Sequence, residues 1–534
     1  MRARASGYDY IIVGAGSSGC VLANRLSEDA NACVLLLEAG GRDIHPYIHV
    51  PLGLGGMHRK RMFDWGYESE PEPELNNRRI EAARGKVLGG SSSINVMAFT
   101  RGHAGDYDRW ANERGAAGWA YRDVLPYFKR IETWEDGESE YRGGSGPMGV
   151  EWAKTKDPLF DAWREAGKAA GFPTTDDYNG ASAEGFGRGQ YSIHHGHRAS
   201  SSNAYLKPIR HRANLTIATN AYATRVLFTG SRATAVEYRR GGETVTATAD
   251  KEILLAGGTY NTPQLLMLSG IGPAEDLRRL GVAAVADLPV GKNLQEHVAA
   301  QMWFARKTPG PFRDVMRFDR MALAMPLAYF FGIGAATVVP GGLHAFVKTE
   351  PALAVPDIEF MFRGAPAGVH LWFPFLKPSY ADGFGLRPAL LHPESRGVVK
   401  LHSADPAAPP RIFLNLLSHP SDLPRLREGF FRAREIAYQK AIDPFRGKEL
   451  APGDDVKNSA QVDAWIRKVA NTAHHPVGTC AIGSVLDSDL RVWGFENLRV
   501  VDASAMPDIV SGHTNACVLM IAEKAADMIR GRAA

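Results

Sequence analysis

A short apolar run, Tyr8 to Val13, leads directly into Gly14-Ala15-Gly16-Ser17-Ser18-Gly19 and then into Val21, Leu22 and Leu26 at helical spacing. A second apolar strand, Cys33 to Leu37, ends in Glu38, 19 residues beyond Gly19, and completes a strand–turn–helix–strand unit of the kind that grips a dinucleotide. Each residue has a mechanical task. Gly14 permits the sharp turn, Gly16 lets the backbone approach a pyrophosphate, and Gly19 allows the helix to lie close on the strand. The helix start at Ser17 and Ser18 offers free N–H groups to the phosphates. Glu38, with Ala39 beside it, would accept hydrogen bonds from ribose hydroxyls, which favours FAD or NAD over NADP.

At 534 residues the chain exceeds one ordinary core and predicts at least two lobes. Lysine and arginine number 62 against 58 acidic residues, a net charge of +4, so a nucleic-acid partner is not expected. The four cysteines, Cys20, Cys33, Cys480 and Cys517, have neither the number nor the spacing of a disulfide framework or zinc site. No metal-ligand cluster is expected. Met1 to Gly7 lacks an apolar signal core, which points to a cytoplasmic protein. Residues 321–347 contain no Asp, Glu, Lys or Arg, but Pro326, Pro340 and several glycines would disrupt a spanning helix. The tract is expected to be the buried wall of a pocket, with peripheral contact to the inner membrane, or an apolar lid, as the alternative.

Further strands are expected at Ile253 to Leu255, before Ala256-Gly257-Gly258, and at Leu498 to Val501, before Asp502, both in the same sheet as the first. Gly397 to His402 alternates apolar and polar residues like a strand with one wet face, and Asp422 is expected to cap a helix carrying Leu426, Phe430 and Ala433. Residues 298–465 read mostly as a second domain. Two segments bear on the chemistry. Gly85 to Asp108 holds a glycine pair and a run of hydroxyls before a β-like stretch, and in Gly258 to Gly272 the pair Thr262-Pro263 is expected to open an apolar helix that Gly270 ends.

Both segments resemble the signature patterns of the glucose-methanol-choline (GMC) family of FAD-dependent oxidoreductases, and the likeness runs from about Tyr8 to Ile529. It implies an α/β fold in which a Rossmann-like FAD-binding domain (1–155, 206–297 and 466–534) is interleaved with an α+β substrate domain (156–205 and 298–465) built on an antiparallel sheet. It implies flavin contacts at Gly89, Gly90, Asn95 and Val96, an adenine-side position at Val226, and a turn near the pyrophosphate at Asp502 and Ala503. Some relatives attach the flavin covalently to a histidine where Ile94 stands, so FAD here is expected to be non-covalent. Asn471 to Gly478, NTAHHPVG, resembles the motif that places His475 as the catalytic base. The second catalytic group is expected to be Asn515, with His513 as the alternative. His474, where choline-converting relatives carry an aromatic residue, is expected to line the pocket.

These parts suit alcohol oxidation. A neutral imidazole would take the hydroxyl proton while a hydride leaves for the flavin, and a hydrogen-bond donor would stabilise the developing alkoxide. The expected reaction converts a primary aliphatic or aryl alcohol to an aldehyde and passes electrons to a quinone, another acceptor or O2. Choline dehydrogenase and oxygen-using alcohol oxidase are the alternatives, and a flavin-containing lyase, a photodecarboxylase, an NAD-dependent dehydrogenase or a silent binding protein are less favoured. A homo-oligomer is compatible with the sequence.

Overall fold

The structure, a computed structural model, describes residues 7–366 and 368–532. Its first sheet has seven strands. Gly7–Val13 lies between Val34–Glu38 and the long strand Glu243–Leu255, parallel to both, and Leu215–Thr219 extends the sheet beyond Val34–Glu38. These strands read as continuous apolar runs because helices cover both faces, and Val34–Glu38 is buried at every position. Tyr222–Thr229 and Arg232–Arg240 add an antiparallel meander against the first half of Glu243–Leu255, whose last residues pair with Leu498–Val500. Segments hundreds of residues apart thus close one nucleotide-binding layer.

The second sheet has eight strands, and its main path runs Arg446–Ala451, Met302–Arg306, Gly383–Leu390, Ile358–Arg363, Leu343–Val347, Gly185–Arg188. Its neighbours are antiparallel. In Ile358–Arg363, Phe360 and Phe362 meet the aromatic rings of Phe172, Trp163 and Phe186. Because strand side chains alternate, Glu359, Met361 and Arg363 take the opposite face, turned toward the first lobe. This alternation places charged residues of the substrate-side sheet against the nucleotide layer.

Three local expectations are corrected. The helix Gly258–Leu268 starts four residues before Thr262, with Pro263 inside it. The carbonyl that the missing proline N–H leaves unserved, on Thr259, accepts instead from Thr479 Oγ1 at 2.7 Å. Asp422 is the first residue of Asp422–Ala437, not its side-chain cap; its carboxylate takes the N–H groups of Glu394 and Ser395 at 2.8 and 2.9 Å. The uncharged tract is not simply a pocket wall. Leu343–Val347 is a buried strand, but the helix Phe318–Phe331 packs only its Met321, Ala324 and Ala328 side against Val50 and Ala336. Leu323, Phe330, Phe331 and the following Ile333 stay open to solvent. Among the described residues no helix is long and apolar enough to cross a membrane.

Candidate active site

The nucleotide cavity is lined by Gly14, Gly16, Ser17, Ser18, Glu38 and Ala39 from the first strand–helix unit, with Gly90, Asn95, Val96, Asp502 and Ala503 from distant segments. Its geometry suits an elongated dinucleotide. The helix Ser17–Leu26 begins at Gly16 with no side-chain cap, and Asn515–Ile529 begins at Thr514 in the same way, so two helix N-termini open into the cavity as sites for negative charge. A Cβ on Gly90 would stand 2.7 Å from Gly16 Cα, so the two glycine loops meet backbone to backbone. Val96 is an apolar side chain left 40% exposed on the cavity wall, a surface suited to an aromatic ring system. Glu38 is fixed by the N–H groups of Ala15 and Gly40 at 2.9 and 2.8 Å, and burial raises its pKa to about 7. The residues present fit FAD.

Other expected cofactor residues act at one remove. Gly19 does not line the cavity; a Cβ there would lie 1.9 Å from Gly14 O, so it keeps the helix against the turn. Gly89, at φ +86°, likewise shapes the loop without lining the cavity. Val226 does not line the cavity: it is buried in the core with its N–H on Ser269 Oγ at 2.9 Å, whereas Tyr222 and Ala223 at the start of the same strand reach the cavity. Asp502 turns its carboxylate onto Gly258 N–H and Thr262 Oγ1 at 2.8 and 2.6 Å, holding a helix start.

At the far end of the cavity stands a chain of imidazoles. His475 follows His474, whose left-handed backbone (φ +65°) turns its carbonyl onto Arg84 Nη2 at 2.8 Å. The His475 N–H donates to Glu296 Oε1 at 2.7 Å. Its Nδ1 lies 3.0 Å from His297 Nδ1, and its Nε2 lies 3.1 Å from His513 Nδ1. His297 Nε2 lies 3.0 Å from Leu391 O, and His513 Nε2 lies 3.1 Å from Glu359 Oε1, which also meets His344 Nδ1 at 2.9 Å.

Hydrogen-bond partners set the tautomers. A carbonyl can only accept, so His297 carries its proton on Nε2 and presents a lone pair at Nδ1. His475 must then donate from Nδ1, which leaves its Nε2 lone pair free toward the cavity. Glu359 is held well below the usual carboxylate range by His513 and His344 against the effect of its own burial. The His513 Nε2–H therefore donates to a carboxylate, and its Nδ1 faces the His475 Nε2. Burial, and the nearby His513 and His297, pull His475 well below the ordinary imidazole range. Two imidazole nitrogens thus meet at the cavity.

Asn515 lies elsewhere: its Oδ1 accepts from Ser17 Oγ at 2.7 Å, bridging the two helix N-termini at the cofactor cavity. His474 lines the cavity, and burial together with nearby Arg84 and Arg387 lowers its pKa to about 3. Sequence reasoning missed Glu296, His297, His344 and Glu359. The only signal for Glu359 was an acid in an otherwise apolar strand, and His297 gave none. The expectation of no ligand cluster is also corrected: His344, Glu359 and His513 hold donor atoms within 4.8 Å of one another. Both imidazoles already share the same Glu359 oxygen, an arrangement that serves as a charge relay without an ion.

The nucleotide cradle and the buried imidazole pair at its end define a dinucleotide-dependent oxidoreductase with an acid–base site. The family model for GMC oxidoreductases matches residues 8–299 and 393–522. The chain belongs to the GMC oxidoreductase family and is an FAD-dependent oxidoreductase acting on CH–OH groups. It is 43% identical over 531 residues to an oxygen-dependent choline dehydrogenase of Sinorhizobium fredii, covering 98% of this chain and 96% of that protein. It is 44% identical over 539 residues to a protein of the same name from Pseudomonas aeruginosa, covering 98% and 95%. The structure matches that of pyridoxine 4-oxidase from Mesorbium loti with a TM-score of 0.88 at 30% identity, over 99% of this chain and 100% of that one.

Proposed function

We propose that the protein oxidises a primary alcohol to an aldehyde, with His475 as the base and His513 as the second catalytic group in place of the expected Asn515. The supporting observation is the 3.1 Å approach of His475 Nε2 to His513 Nδ1 at the end of the FAD cavity. The alcohol oxygen docks against these two nitrogens. His475 Nε2 takes its proton, His513 Nδ1–H donates to the developing alkoxide, and Glu359 carries the balancing charge. His297 holds His475 in the tautomer that keeps Nε2 free. Bound FAD supplies the acceptor for the hydride that leaves the α-carbon. Ile94 offers no imidazole for a covalent link, so FAD is held by contacts alone.

Choline oxidation is the second reading, supported by the names of the relatives. A screen of anaerobic flavin reduction over choline, linear alcohols and benzylic alcohols tests both. Bleaching by at least one primary alcohol is expected, and a bound flavin that none of them reduces would overturn the reading. The same assay yields a pH profile. Because His475 is held below the ordinary imidazole value of 6.5, it is neutral throughout the range above that pH. On the acidic side the rate of reduction should hold down to about pH 6.5 and fall only below it; an acidic limb above pH 7 would contradict the neutral, buried base.

A further inference from the structure

The face of the second sheet that carries Glu359 to His513 carries two further charges of the opposite sign. Arg363 lies four residues beyond Glu359 on the same strand and the same face, about 13 Å along it. Arg387 stands directly opposite Met361 on the neighbouring strand, about 7 Å along from Glu359. Among the described residues neither guanidinium has a carboxylate within ion-pair distance. Arg387 is tethered to Thr472 O at 2.9 Å, on the segment leading to His475. Arg363 is open to solvent and Arg387 is half-buried. Arg84, Arg387 and Arg363 all bear electrostatically on His474, whose buried Nδ1 has no partner.

The acids nearby do not neutralise this wall. Glu359 is committed to two imidazoles, and Glu296 takes the His475 N–H with its pKa raised to about 7 by burial. Arg84 lines the cavity beside His474, and Arg363 and Arg387 stand on the sheet face that carries Glu359; guanidinium groups so placed repel a trimethylammonium group and attract an anion. Arginine pairs with carboxylates through two parallel hydrogen bonds, and neither Arg363 nor Arg387 has such a partner among the described residues.

We infer that the alcohol this site takes carries a carboxylate at the end remote from its hydroxymethyl group, held by Arg363 and Arg387 while the carbinol meets His475 and His513. The inference rests on the alcohol-oxidation reading and names its substrate class: ω-hydroxycarboxylates and hydroxymethyl-substituted aromatic carboxylates. Arg363 and Arg387 are then specificity residues.

The test compares anaerobic flavin reduction by 4-(hydroxymethyl)benzoate and by 6-hydroxyhexanoate with reduction by their uncharged methyl esters, and with choline. The second-order rate constant for at least one acid should exceed that of its ester by at least ~10-fold at low ionic strength. In Arg363→Met and Arg387→Met that ratio should fall toward one, and Arg363→Lys should retain part of it. Flavin content and melting temperature of each variant separate loss of recognition from loss of fold. Esters or choline reducing the flavin as well as the acids would overturn the charge assignment and leave alcohol oxidation standing. If no alcohol of any charge reduces it, the oxidation reading fails and takes this inference with it.

Discussion

Alanine at position 475 should slow flavin reduction by ~10²- to 10⁴-fold while leaving the protein yellow. The glycine turn and Glu38 that grip the dinucleotide lie in other segments, and the His475 N–H on Glu296 survives the substitution. What is lost is the free Nε2 lone pair that the His297 bond selects. Without it the hydroxyl proton has no acceptor within hydrogen-bond reach, and a hydride cannot leave a carbon whose oxygen remains protonated. His513→Ala should also slow reduction, because it removes the imidazole facing His475 and leaves Glu359 with His344 alone. Asn515→Ala should act differently. It breaks the bond to Ser17 between two helix N-termini, so it should weaken FAD retention more than it slows chemistry. Stopped-flow absorbance of the flavin, using whichever alcohol reduces the wild type, measures all three. An unchanged rate in His475→Ala removes it from the mechanism.

The second large effect separates two glycines of one motif. Gly19→Ala should yield a destabilised, largely colourless protein, because its Cβ would lie 1.9 Å from Gly14 O and 3.0 Å from Gly14 C. Both are backbone atoms of the turn itself, so no side chain can swing away, and the helix must lift from the strand at a cost of a few kcal/mol. Gly16→Ala should leave the apoprotein as stable as the wild type. Its Cβ meets nothing in the protein closer than Ala256 O at 3.9 Å and would occupy space at the cavity wall. The cofactor alone would meet the new methyl group. Thermal melts of deflavinated protein, paired with FAD titration, distinguish the outcomes. Equal melting temperatures for Gly19→Ala and wild type would show that the close helix–strand contact is dispensable.

Much of this architecture was legible in the chain. The glycine turn, Glu38 and the apolar strand between them are local in sequence, and the physics that links them is local too: a left-handed turn at Gly14 (φ +104°), a close helix, and an acid at a strand end. His475 was legible because it sits in a short motif whose residues are neighbours. The start of Gly258–Leu268 was misplaced because Pro263 usually marks a helix beginning, and only Thr479, more than two hundred residues away, relieves the carbonyl it leaves bare.

The choice between His513 and Asn515 shows where such reading ends. Two residues apart beside a helix start, they are equivalent by composition and by counting. Backbone geometry turns one toward His475 and Glu359 and the other toward Ser17, 498 residues earlier in the chain. The sequence by itself determined the dinucleotide grip and the base, since each depends on contacts made within one short segment. Only the tertiary structure decided the tautomer of His475, its approach to His513 and the meeting of His513 with Glu359, because those depend on which face of a distant strand meets the C-terminal segment. Side-chain alternation fixes that face only once strand register is set by the fold.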